Sequence, residues 1–173
     1  MAEVDTALVA NRAAVEDLLA AAERCGGAWT APRSPGKWSP SQVIEHVARA
    51  LEESANVVSG APSKFPTFPV ILRPLVRSLF FKQVLKKSAF PKARTNQAFD
   101  PMGGQATVAE ARVRLEAALA QFEQECRVRA AGGRSIDSTI FGNVSVVDYV
   151  RFQELHARHH QKQIPGSRRA HER

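Results

Sequence analysis

Four stretches of this chain repeat their apolar residues at helical spacing, and each carries its own start or stop signal. No stretch alternates as a half-buried strand would. The first runs from about Thr6 to Cys25, is rich in Ala and Leu, and ends at Gly26-Gly27. The second opens on Ser39-Pro40-Ser41-Gln42. There a serine N-cap, a proline at the first helical position and a glutamine at the third make a capping box. It runs to Ser59, before Gly60 and Pro62. Thr107 and Glu110 open the third, which continues to Ala131 and stops at Gly132-Gly133. Ser145 and Asp148 cap the fourth, Val146 to Gln163, which Pro165 closes. An amphipathic helix hides its one apolar stripe only against other elements, so the expected fold is an all-α helical bundle.

Residues 60–106 form a long connection between the second and third helices and carry six of the ten prolines. Within it, "VILRPLVRSLFFKQVLKK" predicts a shorter helix, started or kinked at Pro74. "SAFPKARTNQAFDPMGGQA" reads as an extended link, and "STIFGN" as a turn. A length of 173 residues suits one domain, taken as 1–165, with 166–173 a frayed basic tail.

Hydrophobic residues make up 44% of the chain, which argues against disorder. No basic n-region precedes an apolar run at the start, and no apolar stretch reaches the roughly 18 residues of a membrane span. Cys25 and Cys126 are far apart and form no C-x-x-C, which fits a reducing cytoplasm and argues against a cysteine metal site. The net charge of +7 is local. Between Ser54 and Phe99 there are eight Lys or Arg and no Asp or Glu, while the rest is near neutral. Such a segment either attracts nucleic acid or anionic lipid, or is a solvated face. We expect it to be structural first, packing Leu79, Phe80, Phe81 and Val84 on the bundle or across a dimer, with its cations in water.

Three of the five histidines lie in "FQELHARHHQKQIP". On a wheel of about 100° per residue, His156 and His160 fall inside the apolar arc of the fourth helix, about 40° apart, and His159 falls on its margin. Imidazoles four residues apart on one stripe can share a metal ion, and they can equally be two satisfied core histidines. In the second helix, His46 lies just off the apolar arc on a stripe with Gln42 and Glu53. It either turns inward at a seam or stays exposed, and periodicity prefers neither.

"KWSPSQVIEHVARA" resembles the W-S-x-x-(E/Q)-x-x-x-H opening of the DinB/YfiT-like bundle proteins. "FGNVSVVDYVRFQELHARHHQKQI" resembles that superfamily's closing pattern, a Phe-Gly turn before a helix with H-x-x-x-H and then Gln-Ile. The resemblance implies an up-up-down-down four-helix bundle with a long connection between its second and third helices. It implies a divalent-metal triad of His46, His156 and His160, with His159 an extra histidine that is not a ligand. Such proteins include metal-dependent thiol S-transferases, a maleylpyruvate isomerase and many without known activity, and dimers are common. A homodimer using zinc or nickel, with a low-molecular-weight thiol among its substrates, is the corresponding expectation.

Three neutral imidazoles leave a divalent ion an open position for water or thiol, so hydrolysis and thiol transfer both follow. Glu53 is the candidate proton shuttle, against its reading as a solvated glutamate. Trp38 reads as a core plug at the start of the second helix, and Gln163 as an acceptor for a ligand histidine. The expected pocket wall adds Gln42, Tyr149 and Phe152. Against the enzyme stand a non-catalytic metal-binding bundle and an interaction protein that uses its basic segment.

Overall fold

The computed structural model describes residues 1–91 and 99–165. The expected tail, 166–173, and the middle of the extended link lie outside them. The chain is mostly helical. Helix α1 spans Ala2–Glu23, α2 Pro40–Ser59, α3 Arg73–Val76, α4 Lys82–Lys87, α5 Val108–Ala131 and α6 Val146–Gln161. The caps read from sequence form. Ser39 and Gln42 exchange backbone and side-chain bonds, as do Thr107 and Glu110, and the Ser145 hydroxyl accepts from the Asp148 amide. Gly60 ends α2 at φ 87°, a left-handed cap that costs glycine little. Helix α6 ends before Gln163, because its last turn tightens through Gln163 N–H to His160 O and Ile164 N–H to Gln161 O.

Side-chain pairs fix the helix directions. Asp5 pairs with Arg127, Arg12 with Glu123 and Glu23 with Arg112, in opposite order along α1 and α5, so these helices are antiparallel. Ala2 and Ala10 face Val147 and Glu154 across a shared groove, and Asp17 pairs with Arg158 further on, so α1 and α6 are parallel. Tyr149 meets Ser54 while His156 meets His46, so α2 and α6 are antiparallel. The order is therefore up-down-down-up, not the expected up-up-down-down. The physical reason lies in the connections. An up-up-down-down bundle needs two long crossovers, and this chain has one, between α2 and α5. The α1–α2 link instead folds back on itself, with Ser41 N–H bonding to Trp29 O and the Trp29 indole to Gln105 O.

The core lies between the pairs α1–α6 and α2–α5, and Leu8, Leu18, Ile44, Leu51, Leu115 and Phe122 are fully buried. Trp29, not Trp38, is the buried tryptophan. The "STIFGN" turn is flanked by a short hairpin the sequence did not announce: β1, Ile136–Ser138, pairs antiparallel with β2, Gly142–Val144. The Ser138 hydroxyl accepts from the Ile140 and Phe141 amides and tightens that turn.

In the long connection, a 3₁₀ turn at Val70–Leu72, then α3, a π turn at Arg77–Phe81 and α4 run on continuously, with Pro74 in the first turn of α3. The π turn adds a residue to the helical repeat, so adjacent apolar residues part company. Phe81 and Val84 are buried and Phe80 is half-buried, but Leu79 is 67% exposed, so the bundle itself takes up three of the four residues expected to pack on it or across a dimer. Further on, Gly104 runs so close to α2 that a Cβ there would sit 2.4 Å from the Ser41 carbonyl carbon.

Phe81→Ala should cost about 3–5 kcal/mol in urea unfolding, and Leu79→Ala less than about 0.5 kcal/mol. Equal losses would mean that Leu79 is covered in solution.

Candidate metal centre

Helices α2 and α6 cross so that His46 meets His156 and His160. The three rings lie with centroids 4.5 to 5.2 Å apart, and their ligand nitrogens all fall within 4.8 Å of one another. His46 Nε2 is 3.2 Å from His156 Nε2, and His160 Nε2 is 3.0 Å from the same atom. His46 and His160 are both 5% exposed, and His156 keeps partial exposure with its ring against Phe90.

The other ring nitrogens decide what the converging ones can do. His46 Nδ1 is 2.8 Å from the Phe99 carbonyl oxygen, which can only accept, so Nδ1 carries the proton and Nε2 is bare. His160 Nδ1–H donates to Gln163 Oε1 at 3.1 Å, which leaves its Nε2 bare as well. The Gln163 amide N–H then donates to His159 Nε2 at 3.2 Å. Two bare lone pairs thus face His156 Nε2, which has at most one proton to offer when neutral. Both short contacts cannot be full hydrogen bonds. A cation bound by all three lone pairs removes the conflict, since ligand nitrogens on a tetrahedral ion lie about 3.3 Å apart for bonds of about 2.0–2.1 Å. The residues present fit a divalent ion.

Charge agrees with this geometry. Burial pushes the pKa of His46 below 6.5, with the Phe99 carbonyl pulling back towards the charged form. Burial pushes His156 and His160 well below it, and the neighbouring histidines add to the shift. Near neutral pH the site is three uncharged imidazoles, the form that ligates metal.

The remaining expected site residues divide. Gln163 orients His160, as expected. Trp38 plugs the core only in part: it packs against it half-buried, lies 4.8 Å from the His46 ring and 6.1 Å from His160, and donates its indole N–H to Asp100 Oδ1 at 3.1 Å. Gln42 bonds to Ser39 and Pro101 rather than to a histidine: beyond its capping role, its amide donates to the Pro101 carbonyl. Tyr149 is buried two turns away, against Ser54 and Phe122. Phe152 stands behind Phe90, in an aromatic cluster with Phe80, Phe81 and Phe141. Glu53 is not brought to the triad. Seven residues, about 10 Å, along α2 from His46, its carboxylate accepts from the Lys64 amide and pairs with the Lys64 ammonium. It lines a cavity of about 350 Å³ with Glu45, Arg49 and Arg114, and that wall holds no histidine. Phe99, Asp100 and Phe90 were missed from sequence. The bond from Phe99 is a backbone carbonyl, which no side-chain pattern announces.

A sequence model of the DinB superfamily matches residues 7–164. No curated protein and no solved structure matches the chain. The match spans nearly the whole chain, and the chain belongs to the DinB superfamily.

The depressed histidine pKa values set a pH dependence in the metal-free protein. Below pH 6.5 the unfolded chain takes up protons that the folded site refuses, so this stabilisation is complete above 6.5 and declines as pH falls. Unfolding free energies from urea titrations in chelator should drop from about pH 8 to about pH 5, by up to about 1.4 kcal/mol per pH unit for each histidine held neutral. His156→Gln should flatten that slope. An unchanged slope in the variant would place the acid sensitivity elsewhere.

Proposed function

We propose that His46, His156 and His160 bind one divalent cation, and that the protein is a metal-dependent enzyme of hydrolase or thiol S-transferase type. The observation that carries this reading is the convergence of the three Nε2 atoms while Phe99 and Gln163 occupy the opposite nitrogens of two rings. A bound ion would supply Lewis acidity and lower the pKa of a water or thiol towards neutrality. Three imidazoles suit zinc or nickel. The Phe99 carbonyl and Gln163 would hold His46 and His160 in the ligating tautomer and orientation.

The chain's own groups have further roles in this reading. Trp38 on one side and Phe90 on the other limit water at the rings and offer an apolar wall to a small organic electrophile. Asp100, held against the Trp38 indole and felt electrostatically at His46, would accept the proton of an incoming thiol or water. It takes the place first given to Glu53. A low-molecular-weight thiol as co-substrate and a homodimer belong to the same reading.

A non-catalytic metal-binding bundle is the second reading. It is favoured by one observation: among the described residues, no carboxylate is hydrogen-bonded to any of the three histidines.

Protein purified without a nickel column should carry about one equivalent of metal. His46→Ala and His160→Ala should lose it, and His159→Ala should keep it. Gln163→Ala should weaken affinity about 10- to 100-fold. Chelator-sensitive turnover of thiols with electrophiles, or of simple esters and amides, that falls in Asp100→Asn at unchanged metal content supports the enzyme. Fully loaded protein that turns over nothing in that panel supports the second reading.

A further inference from the structure

The basic connection has an outer face as well as the inner face that backs the site. Its inner face is buried: Phe81 and Val84 enter the core, and Phe80 reaches Phe90, Phe141 and Phe152. Its outer face is apolar and uncovered. Val70 is 73% exposed, Ile71 85%, Leu72 44%, Leu75 54% and Leu79 67%. Ile71, Leu75 and Leu79 follow one another at four-residue spacing, along a ridge turned away from the bundle. Lys82 and Lys86 continue that ridge, and Lys87 lies beside it, all three exposed. The segment is held firmly in this attitude. Arg73 donates to the Phe68 carbonyl and pairs with Asp137, Arg77 donates to the Asn143 carbonyl, and the Phe68 amide donates to Thr139 O. Two of its cations are therefore spent on the hairpin side, and its lysines are left facing outward.

We propose that residues 70–87 dock the protein on an anionic lipid bilayer. An apolar ridge followed by a lysine cluster matches a surface whose interior takes up aliphatic side chains and whose headgroups carry negative charge. The absence of any Asp or Glu between Ser54 and Phe99 leaves nothing on the segment for such headgroups to repel. A second copy of the chain fits less well. A two-fold contact through this ridge sets the same patch against itself, and that patch holds no Asp or Glu to meet Lys82, Lys86 and Lys87. Nucleic acid would match the lysines but gives five aliphatic side chains no place to go. The described residues contain no helix long and apolar enough to cross a membrane, so the contact lies at the surface.

Flotation of the full chain with vesicles tests this. Phosphatidylcholine vesicles containing phosphatidylglycerol should capture the protein, phosphatidylcholine alone should not, and added salt should release it. The double variant Lys82→Gln/Lys86→Gln should weaken capture roughly thirtyfold. Ile71→Glu/Leu75→Glu should abolish it, and the exposure of these residues means that both variants keep the parent melting temperature. His156→Ala should float as the parent does, so the outcome is independent of the metal reading. Absent capture, or capture indifferent to lipid charge, overturns the proposal. Retention on duplex DNA without vesicle binding overturns it in favour of nucleic acid. A concentration-dependent dimer in sedimentation equilibrium that Ile71→Glu dissociates, without vesicle binding, overturns it in favour of a second copy.

Discussion

The bond from His46 Nδ1 to the Phe99 carbonyl is where the crossover and the bundle meet. A buried carbonyl needs a donor and a buried imidazole needs an acceptor, and each meets the other's need. The contact does not stand alone. Asp100 takes the Trp38 indole N–H, the Pro101 carbonyl takes the Gln42 amide, and Gly104 passes against Ser41. Four successive contacts thus fasten the end of the connection to the opening turns of α2. They fix the tautomer of His46, the tilt of Trp38 and the direction of the bare Nε2 at once. Without Phe99 the ring could turn, and the convergence with α6 would lose one of its three members.

Local chemistry was legible in the sequence, and long-range chemistry was not. Ser39 with Gln42, Thr107 with Glu110, and Ser145 announced their helices because a cap is satisfied within a few residues. The placement of His156 and His160 followed from the period of α6 alone. His46 was ambiguous on its own wheel, because its inward turn is set by Phe99, 53 residues away in sequence. Trp38 read as a core plug, whereas the buried tryptophan is Trp29. What separates them is the acceptor each indole finds, Asp100 at the rim or the Gln105 carbonyl beside the core. Glu53 shared a stripe with His46, but Lys64 drew it off. Helix direction is likewise a matter of connections, and here the single long crossover already excluded the order inferred from resemblance.

The basic connection resisted reading for a different reason. Its helical run is apolar on every side, so periodicity could not say which side the bundle covers. The π turn at Arg77–Phe81 settles this by separating Leu79 from Phe80 and Phe81. One segment then serves two environments. Its aromatic side completes the wall that reaches the triad through Phe90, and its aliphatic side is left to solvent or to a partner.

The electrostatics of the triad constrain what it can usefully hold. Three neutral imidazoles bring no compensating charge, and Trp38 and Phe90 make their surroundings poor in water. A dication held in such a place would carry an unbalanced double charge, and burying charge without a partner is costly. Among the described residues, the carboxylate bonded at this rim is Asp100, which is exposed and accepts from the Trp38 indole. The remaining compensation would then have to arrive with the ligand. With an ion bound, such a centre would favour groups that become anionic on binding, and a thiol would do so at lower cost than an alcohol or an amide. Replacing Phe99's carbonyl contact with a carboxylate would satisfy the ion more fully and weaken that preference.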